Sequence, residues 1–460
     1  MITLHNLGFP RIGAKRELKF ALEAYWQGNL DADALTDTVN QLLDAQLQRQ
    51  QQSGLHLLPV GDFSLYDHVL DTSFLLGNLP KRFHTEQPIP DLDQYFRVAR
   101  GRSRQGEPVS AGEMTKWFDT NYHYIVPEFD TDTLFSLHAE ELLAQIERAT
   151  QTGSPVKPVI LGPLTYLWLG KCKEAPLDKL NLLQSLLPVY AELLARLKNQ
   201  GIEWVQVDEP ILALDLDSAW KAAFSRVYDS LIQNSPNLLL TSYFGPLLDN
   251  LETAVSLPVA GLHIDAVRGK AELPKLLERW PTDKVLSLGV IDGRNIWRSN
   301  LNALLNELAP VYAARGDKLW LAPSCSLLHL PVSLAEEDQL NPELRSWLAF
   351  ASEKLDELAL LGRALEQGRE AVLPELEANA RAIESRRCSA QVTQRPVQER
   401  LASIQPDQLQ RLSSYPQRAT LQRQRFHLPL YPTTTIGSFP QTAETTPGAT
   451  EIQTETAVDR

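Results

Sequence analysis

The sequence predicts an α/β protein built around a (β/α)8 barrel, because short apolar runs alternate along the chain with longer amphipathic stretches. Eight runs are short and almost continuously apolar, as expected of parallel strands covered on both faces. They span residues 4–7, 55–60, 158–161, 204–207, 238–241, 261–265, 285–291 and 319–322. Eight strands suit a closed barrel, but periodicity alone leaves an open, doubly wound sheet as the alternative.

The stretches between the runs have helical periodicity. Residues 177–199 repeat aliphatic side chains at helical spacing and end in KNQG, a typical helix stop. Residues 301–315 and 344–365 show the same pattern. We therefore predict helices there, each leading the chain back towards the next strand.

Two insertions and a linker interrupt this alternation. Residues 20–54 are helical and rich in Gln and Leu, whereas residues 62–156 combine aromatic side chains with polar turns. Both are predicted as long loop insertions after early strands. From about residue 370 to 430 the chain is charged and helical with few large apolar side chains, which predicts a helical linker.

A further strand is predicted at residues 433–436. It runs into Gly437-Ser438-Phe439-Pro440, much as the first strand runs into Gly8-Phe9-Pro10, and this is a weak internal repeat. A lone strand cannot bury its faces, and residues 441–460 offer little that packs. We predict three segments: a barrel over 1–370, a helical linker over 371–430, and the truncated start of a second barrel with a disordered tail over 431–460.

Composition excludes several classes of protein. The chain has 460 residues, with 44 Lys and Arg against 57 Asp and Glu, and this acidic balance disfavours a general nucleic-acid binder. No apolar run reaches the ~20 residues of a membrane helix, and the N-terminus has no apolar core of a secretory signal. The three cysteines are too few for a disulfide framework and indicate a reducing compartment. We expect a cytoplasmic protein without nucleic-acid or membrane partners.

A cationic cluster follows the first strand. Lys15, Arg16 and Lys19 lie where a helix begins, and the free N–H groups of a helix start attract anions. Arg16 and Lys19 are three residues apart, a spacing that predicts a shared helix face. The cluster indicates a site for an anionic ligand; a solvated basic face is the alternative.

The segment EMTKWFDTNYHY, residues 113–124, is dense in aromatic and polar side chains. Loops of this composition often line binding sites. Lys116 next to Trp117 could hold a carboxylate while the rings cover a flat group. The alternative is an ordered loop that packs on the barrel.

Paired carboxylates, Asp208 and Glu209, end the fourth apolar run and precede Pro210. The C-terminal ends of barrel strands face the active site, so the pair could act as acid and base or bind a cation. The alternative is that one of them caps the next helix.

Metal and phosphate motifs are scarce in the sequence. Cys325 and His329 are the only Cys and His at close spacing, and neither a phosphate-binding loop nor a dinucleotide-binding glycine motif occurs. A complete zinc site within this chain is therefore not expected.

Several long motifs together resemble one known family. They are LGFPRIGAKRELK, LLPVGDFSLYDHVL, AGEMTKWFDTNYHYIVPE, KPVILGPLTYLWLGK, GIEWVQVDEPIL, SLGVIDGRNIWR, APSCSLLHLPVSL and YPTTTIGSFPQT. The chain resembles cobalamin-independent methionine synthase, the 5-methyltetrahydropteroyltriglutamate–homocysteine S-methyltransferases, from residue 1 to about 442. The resemblance implies two TIM-type (β/α)8 barrels joined by a helical linker, of which this sequence holds the first barrel, the linker and the start of the second.

The resemblance also implies roles for particular residues. Arg16, Glu17, Leu18, Lys19 and Lys116 match positions that bind the folate polyglutamate tail, and Ile436, Gly437 and Ser438 match positions that bind homocysteine or methionine. The family's zinc ligands and its catalytic acid lie beyond the matched residues, so no catalytic or metal-binding residue is assigned here.

The implied activity transfers the methyl group of 5-methyltetrahydropteroyltri-L-glutamate directly to L-homocysteine, with zinc as the family's cofactor and without cobalamin. This chain would carry mainly the tail-binding half, as a monomer. The alternative is a non-catalytic module that binds folate or docks on a separate second barrel and is inactive alone.

Overall fold

The computed structural model describes residues 1–84, 92–105, 107–173, 177–435 and 437. The chain divides into two compact units, Met1–Ser389 and Ala390–Arg460. Every strand formed by the described residues belongs to the first unit. Across the described ranges, no helix has the length and apolar character that crossing a bilayer requires.

The strands are β1 (Thr3–Leu4), β2 (Leu58–Val60), β3 (Met114–Lys116), β4 (His123–Ile125), β5 (Glu128–Phe129), β6 (Val156–Leu161), β7 (Lys171–Cys172), β8 (Trp204–Asp208), β9 (Asn237–Thr241), β10 (Gly261–Asp265), β11 (Val285–Ile291) and β12 (Leu319–Pro323). Eight of them form one parallel sheet in the order β1-β12-β11-β10-β9-β8-β6-β2. A parallel bridge between His5 and Leu57 joins its two ends, and the His56 N–H donates to the Leu4 carbonyl oxygen at 2.9 Å. The predicted closed barrel is confirmed.

The helices are α1 (Glu17–Trp26), α2 (Ala32–Gln52), α3 (His68–Leu75), α4 (Leu92–Arg100), α5 (Glu140–Thr150), α6 (Pro163–Leu169), α7 (Leu183–Asn199), α8 (Ser218–Leu231), α9 (Leu251–Ser256), α10 (Leu273–Arg279), α11 (Leu301–Arg315), α12 (Pro342–Trp347), α13 (Ala351–Gln367), α14 (Leu373–Cys388), α15 (Arg395–Ala402) and α16 (Tyr415–Phe426). The single helix predicted over 344–365 is wrong, because the chain between α12 and α13 pairs with another loop. Leu348 bridges Trp297, and the Ala349 N–H donates to the Ile296 carbonyl oxygen at 2.8 Å.

The two ends of the barrel differ. At the N-terminal end, a small apolar cluster closes the interior with Leu57, Trp204, Leu239, Val285 and Trp320. The middle of the barrel is polar: His5 Nε2 and His263 Nδ1 lie 2.7 and 2.8 Å from the hydroxyl oxygen of Ser287. The C-terminal end, where the strand-to-helix loops meet, opens into a cavity of about 810 Å³. A functional site on this barrel therefore has its room at the C-terminal end.

The insertions fold into a small layer with its own core rather than into open loops. Leu18 and Tyr25 of α1 pack with Phe96 of α4 and Ile125 of β4 in one buried cluster. β3 and β4 form an antiparallel hairpin in which Lys116 pairs with His123. The two insertions thus cover one side of the barrel with folded structure.

Helix α14 belongs to the first unit, although the sequence placed it in the linker that follows residue 370. The Asn379 side chain donates to the Ser299 carbonyl oxygen at 2.9 Å and accepts the Leu301 N–H at 3.2 Å. In the second unit, α15 and α16 have no buried residue. Residues 433–435, where a strand was predicted, form no strand, and residue 436 lies outside the described residues.

Candidate functional site

The predicted cationic cluster forms a tight turn between β1 and α1. Gly13 has φ +83° and Arg16 has φ +66°, so both adopt the left-handed conformation. The Arg16 N–H donates to the Gly13 carbonyl oxygen at 3.2 Å, and the Leu18 N–H donates to that of Ile12 at 3.2 Å. Arg16 is a bulky residue in a region that costs it about 1–2 kcal/mol, so the surrounding contacts must hold this turn.

Glu17 supplies such a contact. Its Oε2 accepts the main-chain N–H of Lys15 at 2.9 Å. The same oxygen occupies the space that a Cβ on Gly13 would need, and the positive φ of Gly13 also favours glycine at this position. Glu17 therefore holds the turn, and its negative charge lies at the N-terminus of α1, where the helix dipole favours it.

The neighbouring side chains differ in exposure. Arg16 is exposed and Lys19 is partly exposed, whereas Leu18 is only 1% exposed, so its side chain cannot contact a ligand. The Lys19 ammonium lies 3.6 Å from Glu23, and that of Lys15 lies 3.7 Å from Glu336. Because Arg16 precedes the first helical residue, the predicted helix face shared by Arg16 and Lys19 is wrong.

Lys116 is the exposed last residue of β3, and Trp117 after it is buried. The hairpin reaches the C-terminal end of the barrel, where Asp119 accepts from the Arg294 guanidinium at 2.7 Å. Arg11, close to the cationic turn, donates to the Tyr122 hydroxyl at 2.8 Å. The structure thus links the hairpin, through the Tyr122 hydroxyl, to Arg11, which precedes the cationic turn.

Glu209 has the capping role that the sequence left as the alternative, but on a different helix. Its carboxylate accepts the N–H groups of Leu164 at 3.2 Å and Thr165 at 2.7 Å, at the start of α6. The Thr165 hydroxyl donates to it at 2.5 Å, and that of Tyr228 at 3.3 Å. Burial raises the pKa of Glu209 to about 7. Its four donors make it a structural acid of the first unit.

Asp208 instead borders the cavity. Its oxygens accept from the Gln206 amide at 2.7 Å and from the Tyr243 hydroxyl at 3.0 Å. Lys157, fully buried, donates to the carbonyl oxygen of Asn6 and to the side chain of Gln206. Burial raises the pKa of Asp208 and lowers that of Lys157. Sequence reasoning did not single out Lys157, although one lysine within an otherwise apolar strand is a visible signal.

Cys325 and His329 do not build a metal site. Burial raises the pKa of the Cys325 thiol and lowers that of His329 to about 4. Among the residues that the structure describes, no three His, Cys, Asp or Glu side chains cluster so that they could hold a metal ion. Zinc, which the resemblance implies for the family, does not fit the described part of this chain, and no chemical step here depends on it.

Comparisons with known proteins agree with the fold and the motifs. Residues 3–315 match the N-terminal domain of cobalamin-independent synthases. The 5-methyltetrahydropteroyltriglutamate–homocysteine methyltransferase of Saccharophagus degradans is 52% identical over 450 residues, which are 96% of this chain and 59% of that protein. The chain thus spans about three fifths of this relative's length.

Two solved structures share the fold. The putative vitamin-B12-independent methionine synthase of Listeria monocytogenes has a TM-score of 0.53 at 14% identity. The match covers 80% of our chain and 98% of the Listeria chain. The B12-independent methionine synthase of Shewanella sp. W3-18-1, in complex with selenomethionine, has a TM-score of 0.51 at 16% identity. This match covers 82% of our chain and 99% of the Shewanella chain. At these identities, the likeness is one of fold.

Proposed function

The chain belongs to the family of cobalamin-independent synthases, and on that premise we propose that it is the N-terminal part of a methyltransferase of methionine biosynthesis. The enzyme transfers the methyl group of 5-methyltetrahydropteroyltri-L-glutamate directly to L-homocysteine. The single observation that carries the proposal is the 52% identity to the Saccharophagus degradans enzyme over 96% of this chain. We also propose that the protein is monomeric and cytoplasmic and has no nucleic-acid or membrane partners.

In this proposal, the first unit binds the polyglutamate tail. The tail offers several carboxylates, and Arg16, Lys19 and Lys116 offer cations that are at least partly exposed. Glu17 contributes by holding the turn through the Lys15 N–H, and Leu18 can contribute only through its main chain. Gly437 is proposed as a homocysteine contact; Ile436 and Ser438, proposed with it, lie outside the described residues.

Tail binding is tested with Lys19→Ala and Lys116→Ala, using Lys198→Ala, at an exposed position on the end of α7, as the matched control. Affinities for triglutamate and monoglutamate folate are compared by calorimetry at low and high salt. Exposed ion contacts are each worth about 0.2–1 kcal/mol and are screened by salt. We therefore expect losses of about two- to five-fold for the triglutamate alone. Equal losses for both folates would show that the lysines do not recognise the tail.

The catalytic part is tested by measuring methionine formation. We expect no turnover by this chain alone, because the described residues offer no metal cluster. Turnover should appear when the region of the Saccharophagus degradans enzyme outside the match is added as a second chain or fused. Turnover by this chain alone would contradict the assignment of catalysis to that region.

A docking module is the second candidate function, and one observation favours it. Described residues of the second unit expose many large apolar side chains: Val392, Val397, Leu401, Ile404, Leu409, Leu412, Tyr415, Leu421, Phe426, Leu428, Leu430 and Tyr431. We infer that these side chains form an interaction surface, because soluble proteins rarely leave large contiguous apolar patches exposed. Stable complex formation with the added region, without methionine formation, would favour docking over catalysis.

A further inference from the structure

The cavity at the C-terminal end of the barrel extends outwards between two apolar cores. Leu35 of α2 belongs to the core of the insertion layer and Ile160 of β6 belongs to the core of the barrel, and both line the cavity. Protein interiors are close-packed and contain few voids larger than a water molecule. A cavity of about 810 Å³ that reaches between two cores is therefore room for a ligand, and its volume suits a drug-sized molecule.

Aliphatic side chains line the helix side of the cavity. Leu35, Val39 and Leu43 of α2 follow one another at intervals of four residues, so they share one helix face. Leu75 of α3 and Leu142 of α5 line the cavity as well. All of these except Leu35 are half-buried, as expected of side chains that border an open space. Moving an apolar body from water onto such a lining is favourable.

At the mouth of the barrel, aromatic rings of the lining already carry cations. The Arg11 guanidinium lies 5.5 Å from the ring centroid of Tyr122 and donates to its hydroxyl at 2.8 Å. The Arg294 guanidinium lies 5.1 Å from the ring centroid of Phe244. The helix side, with its aliphatic lining, therefore offers the better place for the apolar body of a ligand.

Three ionisable groups of the lining carry no unpaired charge at neutral pH. Burial raises the pKa of Asp71 to about 8, so most of this carboxyl is protonated, and lowers the pKa of His68 to about 3. Arg148 donates to both carboxylate oxygens of Asp44 at 2.7 Å. A charged ligand would lose its hydration here without gaining an unpaired opposite charge from these groups.

One polar atom of a lining residue lacks a partner. The Gln145 side chain of α5 donates its amide N–H to the Glu141 carboxylate at 3.0 Å. Its carbonyl oxygen is buried and accepts no hydrogen bond from any residue that the structure describes. A buried acceptor without a donor costs free energy. A ligand with a hydroxyl group would supply the missing donor.

We propose that the helix side of this cavity binds a neutral, mainly apolar alcohol or phenol of drug size. The apolar body lies against the aliphatic lining, and the hydroxyl group donates to the Gln145 carbonyl oxygen. The cations proposed for the polyglutamate tail, Arg16, Lys19 and Lys116, do not line this cavity. The site therefore goes beyond the proposed function.

The test uses the full chain and four probes of similar size: 4-phenylbutan-1-ol, its methyl ether, 4-phenylbutylammonium and 4-phenylbutanoate. Calorimetry at neutral pH should show the alcohol binding at least about ten-fold more tightly than either charged probe and about three- to five-fold more tightly than the ether. No binding of the alcohol at about 1 mM would overturn the proposal, and so would a charged probe that binds within about ten-fold of the alcohol. An ether that binds as tightly as the alcohol would overturn the hydroxyl contact. No folate is used, so the outcome is independent of the proposed methyltransferase.

Variants locate the site. Val39→Trp fills the helix side and should weaken binding of the alcohol by at least about ten-fold. Val397→Trp, at an exposed position of α15, is the matched control and should leave the affinity unchanged. Gln145→Leu removes the acceptor, so it should lower the affinity for the alcohol to that for the ether and leave binding of the ether unchanged.

Circular dichroism establishes that each variant is folded. If Val39→Trp fails to fold, Gln145→Leu decides, because an alcohol that keeps its advantage over the ether in that variant does not contact Gln145. Unchanged affinity for the alcohol in a folded Val39→Trp variant would overturn the site.

Discussion

Two charged helices, α13 and α16, behave differently in the structure. Both mix charged residues with large apolar ones, although α16 has a single Leu. In α13, Leu355, Leu358 and Leu361 are fully buried, whereas Leu421 and Phe426 of α16 are more than half exposed. The periodicity of a helix predicts which face is apolar. Whether that face is buried depends on a partner, and the described part of the second unit provides none.

This contrast assigns the folding free energy to the first unit. Burial of apolar surface contributes about 25 cal/mol per Å², and the core clusters all lie before residue 390. The following predictions compare a residue of the first unit with a matched residue of the second.

The largest difference is expected between Leu355→Ala and Leu421→Ala. Removing a fully buried leucine costs about 2–5 kcal/mol, because packing is lost and a cavity remains. Removing an exposed one changes the free energy of unfolding by less than about 0.5 kcal/mol. Urea denaturation followed by circular dichroism measures both. Similar losses would mean that Leu421 is buried in solution, and would show that α13 and α16 do not differ in burial.

A second pair compares two glutamates. Glu209→Ala leaves the buried N–H groups of Leu164 and Thr165 without their acceptor, which costs about 2–4 kcal/mol. Glu399 is exposed and pairs with Arg395 at 2.7 Å within α15, so Glu399→Ala costs less than about 1 kcal/mol. Glu209→Gln, which keeps an acceptor oxygen, should recover part of the first loss. A loss below about 1 kcal/mol for Glu209→Ala would show that the cap is dispensable.

The third prediction concerns pH. Burial raises the pKa of Asp71 from its ordinary value to about 8, so the folded state binds the proton more tightly than the unfolded state. The stability this supplies is complete below about pH 4 and is lost as the pH rises through 8. Asp71→Asn removes this titration and keeps an acceptor for the Tyr95 hydroxyl. Between pH 5 and 7, the variant should therefore lose less stability than wild type, by about 1 kcal/mol per pH unit.

Unfolding midpoints at pH 5, 6 and 7 measure this difference, with Asp407→Asn, at an exposed position of the second unit, as the control. Parallel pH profiles for wild type and Asp71→Asn would show that Asp71 is ionised in the folded protein without cost.

The sequence was sufficient for much of the barrel because its signals are local. Each of the eight apolar runs contains or overlaps an observed barrel strand. The helix predicted over 301–315 is observed with the same bounds, since Asn300 caps its start and Gly316 ends it. The break between α12 and α13 escaped prediction, because it depends on pairing with Ile296 and Trp297, some fifty residues away in the chain.

The candidate sites were predictable to different degrees. Arg16, Lys19 and Lys116 follow from the family motifs, and their role in tail binding stays a prediction. The capping role of Glu209 could be named as an alternative, but not its helix, because α6 lies earlier in the chain than β8, the strand that ends just before Glu209. The ring contacts of His68 with Trp117 and of Phe244 with His329 could not be predicted: these four residues come from four separate segments, and only the closed barrel brings them together.

The smallest effect is expected from deleting the whole second unit after Ser389. The core clusters and the α14 contacts of Asn379 lie within the retained residues. The deletion removes helices without any buried residue, so the free energy of unfolding of residues 1–389 should stay within about 1 kcal/mol of the full chain. A second cut after residue 370 is the matched control. It removes α14 and with it the buried Leu376, and should cost several kcal/mol. Equal stability of the two shortened chains would place the end of the folded barrel at residue 370, and a large loss on cutting at Ser389 would show that the second unit packs against a partner within this chain.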